Sequence, residues 1–232
     1  MILRPRQQWG TIPLGPGTYG RSPLGTPLEV WRPQGRCRML IFAAIHGEES
    51  ETTLALSRAL RQLPEPSPHC AVVLAANPDG LLRGTRGNAR GVELNRNFPT
   101  RDWQPNPVSH RFTLKDPRDV LLSPGSHAGS EPETQALIAL IADLQPEVVI
   151  ALHAPLACID DANQSALGRW LAERTGMPFV ADVGYPTPGS FGTWGGEHKV
   201  PVITYEFPLA DPDALVREHV PVLVELLTRA DG

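Results

Sequence analysis

Four apolar runs that lie far apart in the chain each lead into residues able to do chemistry. His46-Gly47-Glu48-Glu49 follows Met39–Ile45, Asn77-Pro78-Asp79-Gly80 follows Ala71–Ala76, His153 follows Val148–Leu152, and Glu206 follows Val200–Tyr205. In open α/β sheets the pocket forms outside the carboxyl ends of the strands, so four such ends can converge on one place. His46 and Glu49 stand where a strand turns into a helix, and a tight turn lets both address one ion. His153 can supply a third ligand. Two imidazoles and one carboxylate form a borderline-hard set suited to Zn2+, and three protein ligands leave a fourth position for water, as in catalytic sites. A single His-x-x-Glu is common by chance, and the matching strand ends are what give this one weight. His69, His110, His127, His198 and His219 have no such company and are expected to be ordinary polar residues.

The elements that must position these groups follow from the same pattern. None of the four runs alternates polar and apolar residues, and continuous runs of Val, Ile and Leu suit a sheet covered on both faces. Phe179–Val183 is a weaker fifth candidate. A helix is expected over Glu48–Leu63, with Leu56, Leu60 and Leu63 on one face and a stop at Pro64. A second starts at Ser130, where Ser130-x-x-Glu133 has the form of a capping box, and ends at Pro146. A third covers Ser165–Thr175 and closes on Gly176. The last begins at Asp211-Pro212, with a kink expected at Pro221. The fold class is therefore α/β, a mixed and largely parallel central sheet with helices over both faces. One catalytic domain over residues 1–232 is the expected organisation.

Composition narrows the function classes. Lys plus Arg is 21 and Asp plus Glu is 25, a net charge of −4 that does not suit strong nucleic-acid binding. No apolar run approaches the roughly 18 residues of a membrane span, and the first residues lack the apolar stretch of a secretory signal. No membrane association and a cytoplasmic location are expected. Cys37, Cys70 and Cys158 are widely spaced and read as buried free thiols. Gly15-x-Gly17-x-x-Gly20 fits a dinucleotide fingerprint in letters only, because Pro13, Pro16 and Pro23 deny it the flanking strand and helix. About 50 residues between 77 and 130 show little periodicity, and such a stretch is functional or disordered. Its Gly84–Asn97 cluster of arginines and asparagines beside a strand end favours function.

His46-x-x-Glu49, Arg86, Asn95-Arg96, His153 and Glu206 occur in the order found in zinc carboxypeptidases, and the chain resembles that M14-type metallopeptidase family. Within it, Tyr19–Ser22, Gly91–Pro99, Gly129–Thr134, Pro155–Ile159 and Gly184–Gly192 resemble the branch that cleaves murein peptides. The resemblance spans nearly the whole chain. It implies hydrolysis of the γ-D-glutamyl–meso-diaminopimelate bond of L-Ala-γ-D-Glu-meso-Dap or a related cell-wall peptide, in the cytoplasm during recycling, with one Zn2+ held by His46, Glu49 and His153.

The same resemblance implies roles for the other residues. Zinc lowers the pKa of a bound water toward 7, and Glu206 takes the proton as that water attacks. Arg86 stabilises the oxyanion. Asn95 and Arg96 hold the carboxylate next to the scissile bond, for which a guanidinium offers two parallel donors. Glu93 stands where the family has an aspartate that orients the first histidine ligand, one methylene longer here. Tyr185 lies near the position of a mobile substrate tyrosine, and substrate binding and packing are both open to it. Ala154 stands where an acidic residue is expected for the distal ammonium of diaminopimelate, and Asp160 or Asp161 can replace it or form a solvated turn. Two alternatives are a deacylase of the succinylglutamate desuccinylase or aspartoacylase type and a non-catalytic wall-peptide binding protein. A binding module has no need of a base such as Glu206. A monomer and a homodimer are equally compatible with the sequence.

Overall fold

The computed structural model describes residues 2–13, 15–111 and 119–229. Its elements, in chain order, are β1 (Gly17–Arg21), β2 (Pro27–Val30), β3 (Met39–Phe42), α1 (Ser50–Leu60), β4 (Cys70–Val73), α2 (Pro78–Arg83), β5 (Val108–Arg111), β6 (Asp119–Leu122), α3 (Pro132–Leu144), β7 (Val148–His153), β8 (Leu156–Asp160), α4 (Ala166–Thr175), β9 (Phe179–Val180), α5 (Phe191–His198), β10 (Val202–Pro208) and α6 (Pro212–Thr228). A six-stranded sheet in the order β4-β3-β7-β10-β8-β9 forms the centre, and β1-β2 and β5-β6 form two antiparallel pairs beside it.

The four runs read as strands are the parallel block β4-β3-β7-β10. Alternate residues of these strands serve opposite faces, the period-2 geometry of a pleated strand. Ile41, Val72, Ile150 and Ile203 pack under α1, α4 and α6, whereas Leu40, Phe42, Val73 and Val149 pack under α3 and α5. Burial on both faces is why no strand shows polar alternation. All three cysteines are buried and free.

Two differences from the sequence expectation have physical reasons. β10 extends through Pro208, so Glu206 lies inside the strand and not after it, because β8 pairs antiparallel along its other edge and continues the ladder. The capping box at Ser130 does not form. The helix N-cap is Glu131, with no side-chain cap; the Ser130 hydroxyl donates to Glu131 at 2.8 Å, and Glu133 accepts from Asn88 Nδ2 at 3.2 Å. α6 runs through Pro221 as one helix. By contrast, Ser165 caps α4 by accepting from the Gly168 N–H, and Gly176 ends it at φ 68°, as its sequence implies.

Among its described residues, the aperiodic stretch from 77 to 130 contains α2, a 3-10 turn at Leu94–Arg96 and the antiparallel pair β5-β6. The Gly15–Gly20 motif is no nucleotide loop, since Gly17–Arg21 is a strand paired to β2. Among the described residues no helix is long and apolar enough to cross a membrane.

Candidate active site

The turn between β3 and α1 carries the first pair of donors. Glu49 is the N-cap residue of α1, yet its carboxylate caps nothing; Thr52 Oγ1 donates instead to the Glu49 carbonyl at 2.7 Å and accepts from the Ala44 N–H at 3.1 Å. The Glu49 carboxylate is thereby free to turn toward His46, whose Nδ1 lies 2.6 Å from its Oε1. Gly47 makes the turn possible, because a Cβ there would stand 2.1 Å from the backbone of Gly80 at the start of α2. His153 closes β7, and its Nδ1 lies 3.2 Å from both His46 Nδ1 and Glu49 Oε2.

These three side chains are each at least nine-tenths buried and present one ligand atom apiece within 4.8 Å of one another. Two ring nitrogens 3.2 Å apart with one carboxylate against both are placed as ligands to one cation would be. The electrostatics agree. Burial and Arg86 work against charging His46, but Glu49 and Glu93 outweigh them and push its pKa up to about 9. Burial likewise opposes ionisation of Glu49, and the two histidines nevertheless hold it well below the usual carboxylate range. The site thus favours positive charge, and its donor set fits a divalent metal.

Glu93 sits behind His46. Its Oε1 is 3.0 Å from His46 Nε2, in a contact bent away from an ideal hydrogen-bond line, and also accepts from the Asn95 N–H at 3.1 Å. Its Oε2 takes the Arg86 Nε–H in a short contact. The longer side chain therefore still reaches the first histidine and in addition holds the arginine. Arg86 Nη1 lies 3.1 Å from Glu48 and 3.4 Å from Glu49, and against its burial Glu93, then Glu49 and Glu48, keep the guanidinium protonated.

Asn95 Oδ1 accepts from the Phe191 N–H at 2.8 Å, tying the 3-10 turn to the start of α5, and Arg96 Nη1 donates to the Asn95 carbonyl at 2.7 Å. Gly189 packs on this turn at φ +73°, where a Cβ would come within 2.4 Å of the Arg96 carbonyl oxygen. Tyr185, in the loop before Gly189, is 52% exposed; burial and then Glu206 push its hydroxyl pKa up, against Arg96 and Arg86.

Glu206 is the register partner of His153 across β10 and β7. Its Oε2 accepts from the Leu156 N–H at 3.3 Å. Burial raises its carboxyl above the ordinary range; His153 opposes the shift and Glu49 adds to it.

His46, Glu49, His153, Glu93, Arg86, Asn95 and Glu206 are thus brought together at the ends of β3, β7 and β10, whereas Asp79 accepts from Leu24 N–H and Thr26 Oγ1 and is taken up there. One expectation is corrected, and the role of Glu48 is added. His110 Nε2, on β5, lies 3.2 Å from Glu48 Oε1, so it is not an ordinary surface histidine. Glu48 links it to Arg86. Nothing local in the sequence signals either contact, since each joins segments that only the fold brings together.

The fold and site define a class. The zinc carboxypeptidase family model matches residues 18–156, and the chain belongs to that family. At closer range it is 44% identical to murein peptide amidase A of Escherichia coli K12, over 97% of this chain and 95% of that protein. It is 41% identical to the same enzyme of Vibrio campbellii, over 97% and 92%. The crystal structure of murein-tripeptide amidase from E. coli O157 superposes with a TM-score of 0.95 at 42% identity, covering 100% of this chain and 99% of that one. Carboxypeptidase A from Helicoverpa armigera, at 18% identity and a TM-score of 0.67, covers 91% of this chain and 67% of its own and shares the fold.

Proposed function

We propose that this chain is a zinc-dependent murein peptide amidase, one catalytic domain over residues 1–232, that hydrolyses the γ-D-glutamyl–meso-diaminopimelate bond of L-Ala-γ-D-Glu-meso-Dap. The observation that carries the reading is the near-complete overlap with the murein-tripeptide amidase structure at a TM-score of 0.95, together with the buried His46–Glu49–His153 group. A cytoplasmic role in cell-wall recycling is part of the same proposal.

In this reading His46, Glu49 and His153 hold one Zn2+, which supplies Lewis-acid polarisation and acidifies water when bound. Glu93 fixes the orientation of His46 through Nε2. Asn95 and Arg96 bind the free carboxylate beside the scissile amide, with Arg96 offering parallel donors. Arg86 exchanges part of its contact with Glu48 and Glu49 for the carbonyl oxygen as negative charge develops there. Glu206 accepts the proton of the attacking water and returns it to the leaving amine; its raised pKa suits a group that must do both. Tyr185, half-exposed and within the field of Glu206 and Arg96, contacts the substrate. No comparable observation supports a deacylase or a non-catalytic binding protein.

The test is a mass-resolved product assay on the synthetic tripeptide with and without added zinc. Release of diaminopimelate and L-Ala-D-Glu that depends on zinc is the expected result. Release of no diaminopimelate under any metal condition would overturn the reading.

A further inference from the structure

We propose that Asp160 selects the leaving amino acid by pairing with an ammonium group at the far end of its side chain. The inference rests on the amidase reading above and deepens it.

The placement comes from strand register. β8 runs antiparallel to β10, with Cys158 opposite Glu206 and Asp160 opposite Thr204. Register partners project to the same side of a sheet, as do alternate residues along a strand. Asp160 therefore shares the face of Glu206 and His153, one row further along the sheet, at a spacing of roughly 7 Å. The intervening residues Ile159, Ile203, Tyr205 and Phe207 point the other way into the core under α6.

The surroundings of Asp160 are those of a carboxylate short of a partner. It is half-buried, and among the described residues no hydrogen-bond donor or cation meets its carboxylate. Its charged neighbours are Asp182, Glu206 and Asp161, all acidic, and with burial they push its carboxyl up to about 6. A carboxylate set among like charges is costly unless positive charge arrives to meet it. The adjacent Asp161 has no such need. It is buried, and its oxygens accept from the Asn163 N–H at 2.9 Å and the Ser165 N–H at 2.8 Å, so it is consumed by the turn that leads into α4. The two aspartates, equivalent by sequence, are separated by their partners. Ala154, directly after the third donor, carries no charge that could do the same work. With Arg96 assigned to the carboxylate at the reacting end, Asp160 offers a negative group beyond it, which can pair with the ammonium of the zwitterionic distal end of diaminopimelate.

The experiment compares zinc-loaded wild type and Asp160→Asn on two peptides. One is L-Ala-γ-D-Glu-meso-Dap. The other carries L-2-aminopimelate in third place and lacks only the distal amino group. Wild type is expected to prefer the first in kcat/KM by roughly tenfold to a hundredfold, the range for a charge-assisted hydrogen bond in a partly buried site. In Asp160→Asn that ratio falls toward one, chiefly through KM. Because both peptides are measured on the same sample, the ratio is independent of the fraction of correctly folded protein. It is also insensitive to any change at Glu206, which acts on both alike. A ratio kept by the variant, or no preference in the wild type, overturns the role of Asp160. Cleavage of neither peptide by the wild type overturns the amidase reading, and this inference with it.

Discussion

His153 and Glu206 are register partners in adjacent parallel strands, the first ending β7 and the second inside β10. Their side chains consequently share one face of the sheet, and the spacing between a candidate ligand and a candidate base is set by backbone hydrogen bonding and not by a loop. Such a placement is rigid, which proton transfer in a defined geometry requires.

Glu206→Gln keeps the shape of the side chain and removes its basicity. Turnover of the tripeptide is expected to fall at least about a hundredfold, while zinc content and peptide binding persist. Steady-state kinetics beside metal analysis and calorimetric titration would check this, and unimpaired turnover would remove Glu206 as the base.

Zinc stabilises the fold if it binds the native trio and not the unfolded chain. Chelation is expected to lower both the melting temperature and the activity, and zinc to restore them. In His46→Ala or His153→Ala, zinc should no longer raise the melting temperature. A metal-induced shift equal to that of the wild type in either variant would count against those ligands.

Arg96→Ala is expected to weaken kcat/KM by roughly tenfold to a hundredfold for peptides with a free carboxylate beside the cut. Analogues with that carboxylate amidated should lose far less. Equal losses on both would mark a purely structural arginine.

Glu133 predicts a pH dependence of stability away from the chemistry. Burial, reinforced by Glu131 and Asp79 and opposed by the Asn88 hydrogen bond, pushes its carboxyl up to about 7 in the folded protein. The folded state thus holds a proton that the unfolded chain gives up near the ordinary carboxylate value, so the stability due to this group is full below about pH 4.5 and is lost as pH rises through about 7. Glu133→Gln mimics the protonated form and should raise the melting temperature at pH 8 by about 2–5 °C, with little change at pH 5. Thermal melts across that range decide it, and a variant that tracks the wild type at every pH would refute the assignment.

The sequence by itself determined the four parallel strands and the identity of the chemical groups, whereas β8, which alternates too little to be read, went unseen. Strands buried on both faces need unbroken runs of Val, Ile and Leu, so Val148–His153 and its parallel neighbours are visible without any partner being known. The caps at Ser165 and Asp211 are equally legible, because a helix end is satisfied by residues within a turn of it. Ser130 shows the limit of that rule: Asn97 Nδ2, from a distant segment, donates to its hydroxyl at 3.1 Å, and a local motif yields to a tertiary contact. What only the tertiary structure decided is which groups face each other. It brought His110 to Glu48, and spent Asp161 on a turn while leaving Asp160 without a donor on the face of Glu206. Those outcomes depend on register and on contacts between segments remote in the chain, and a one-residue slip in register sends a side chain to the opposite face.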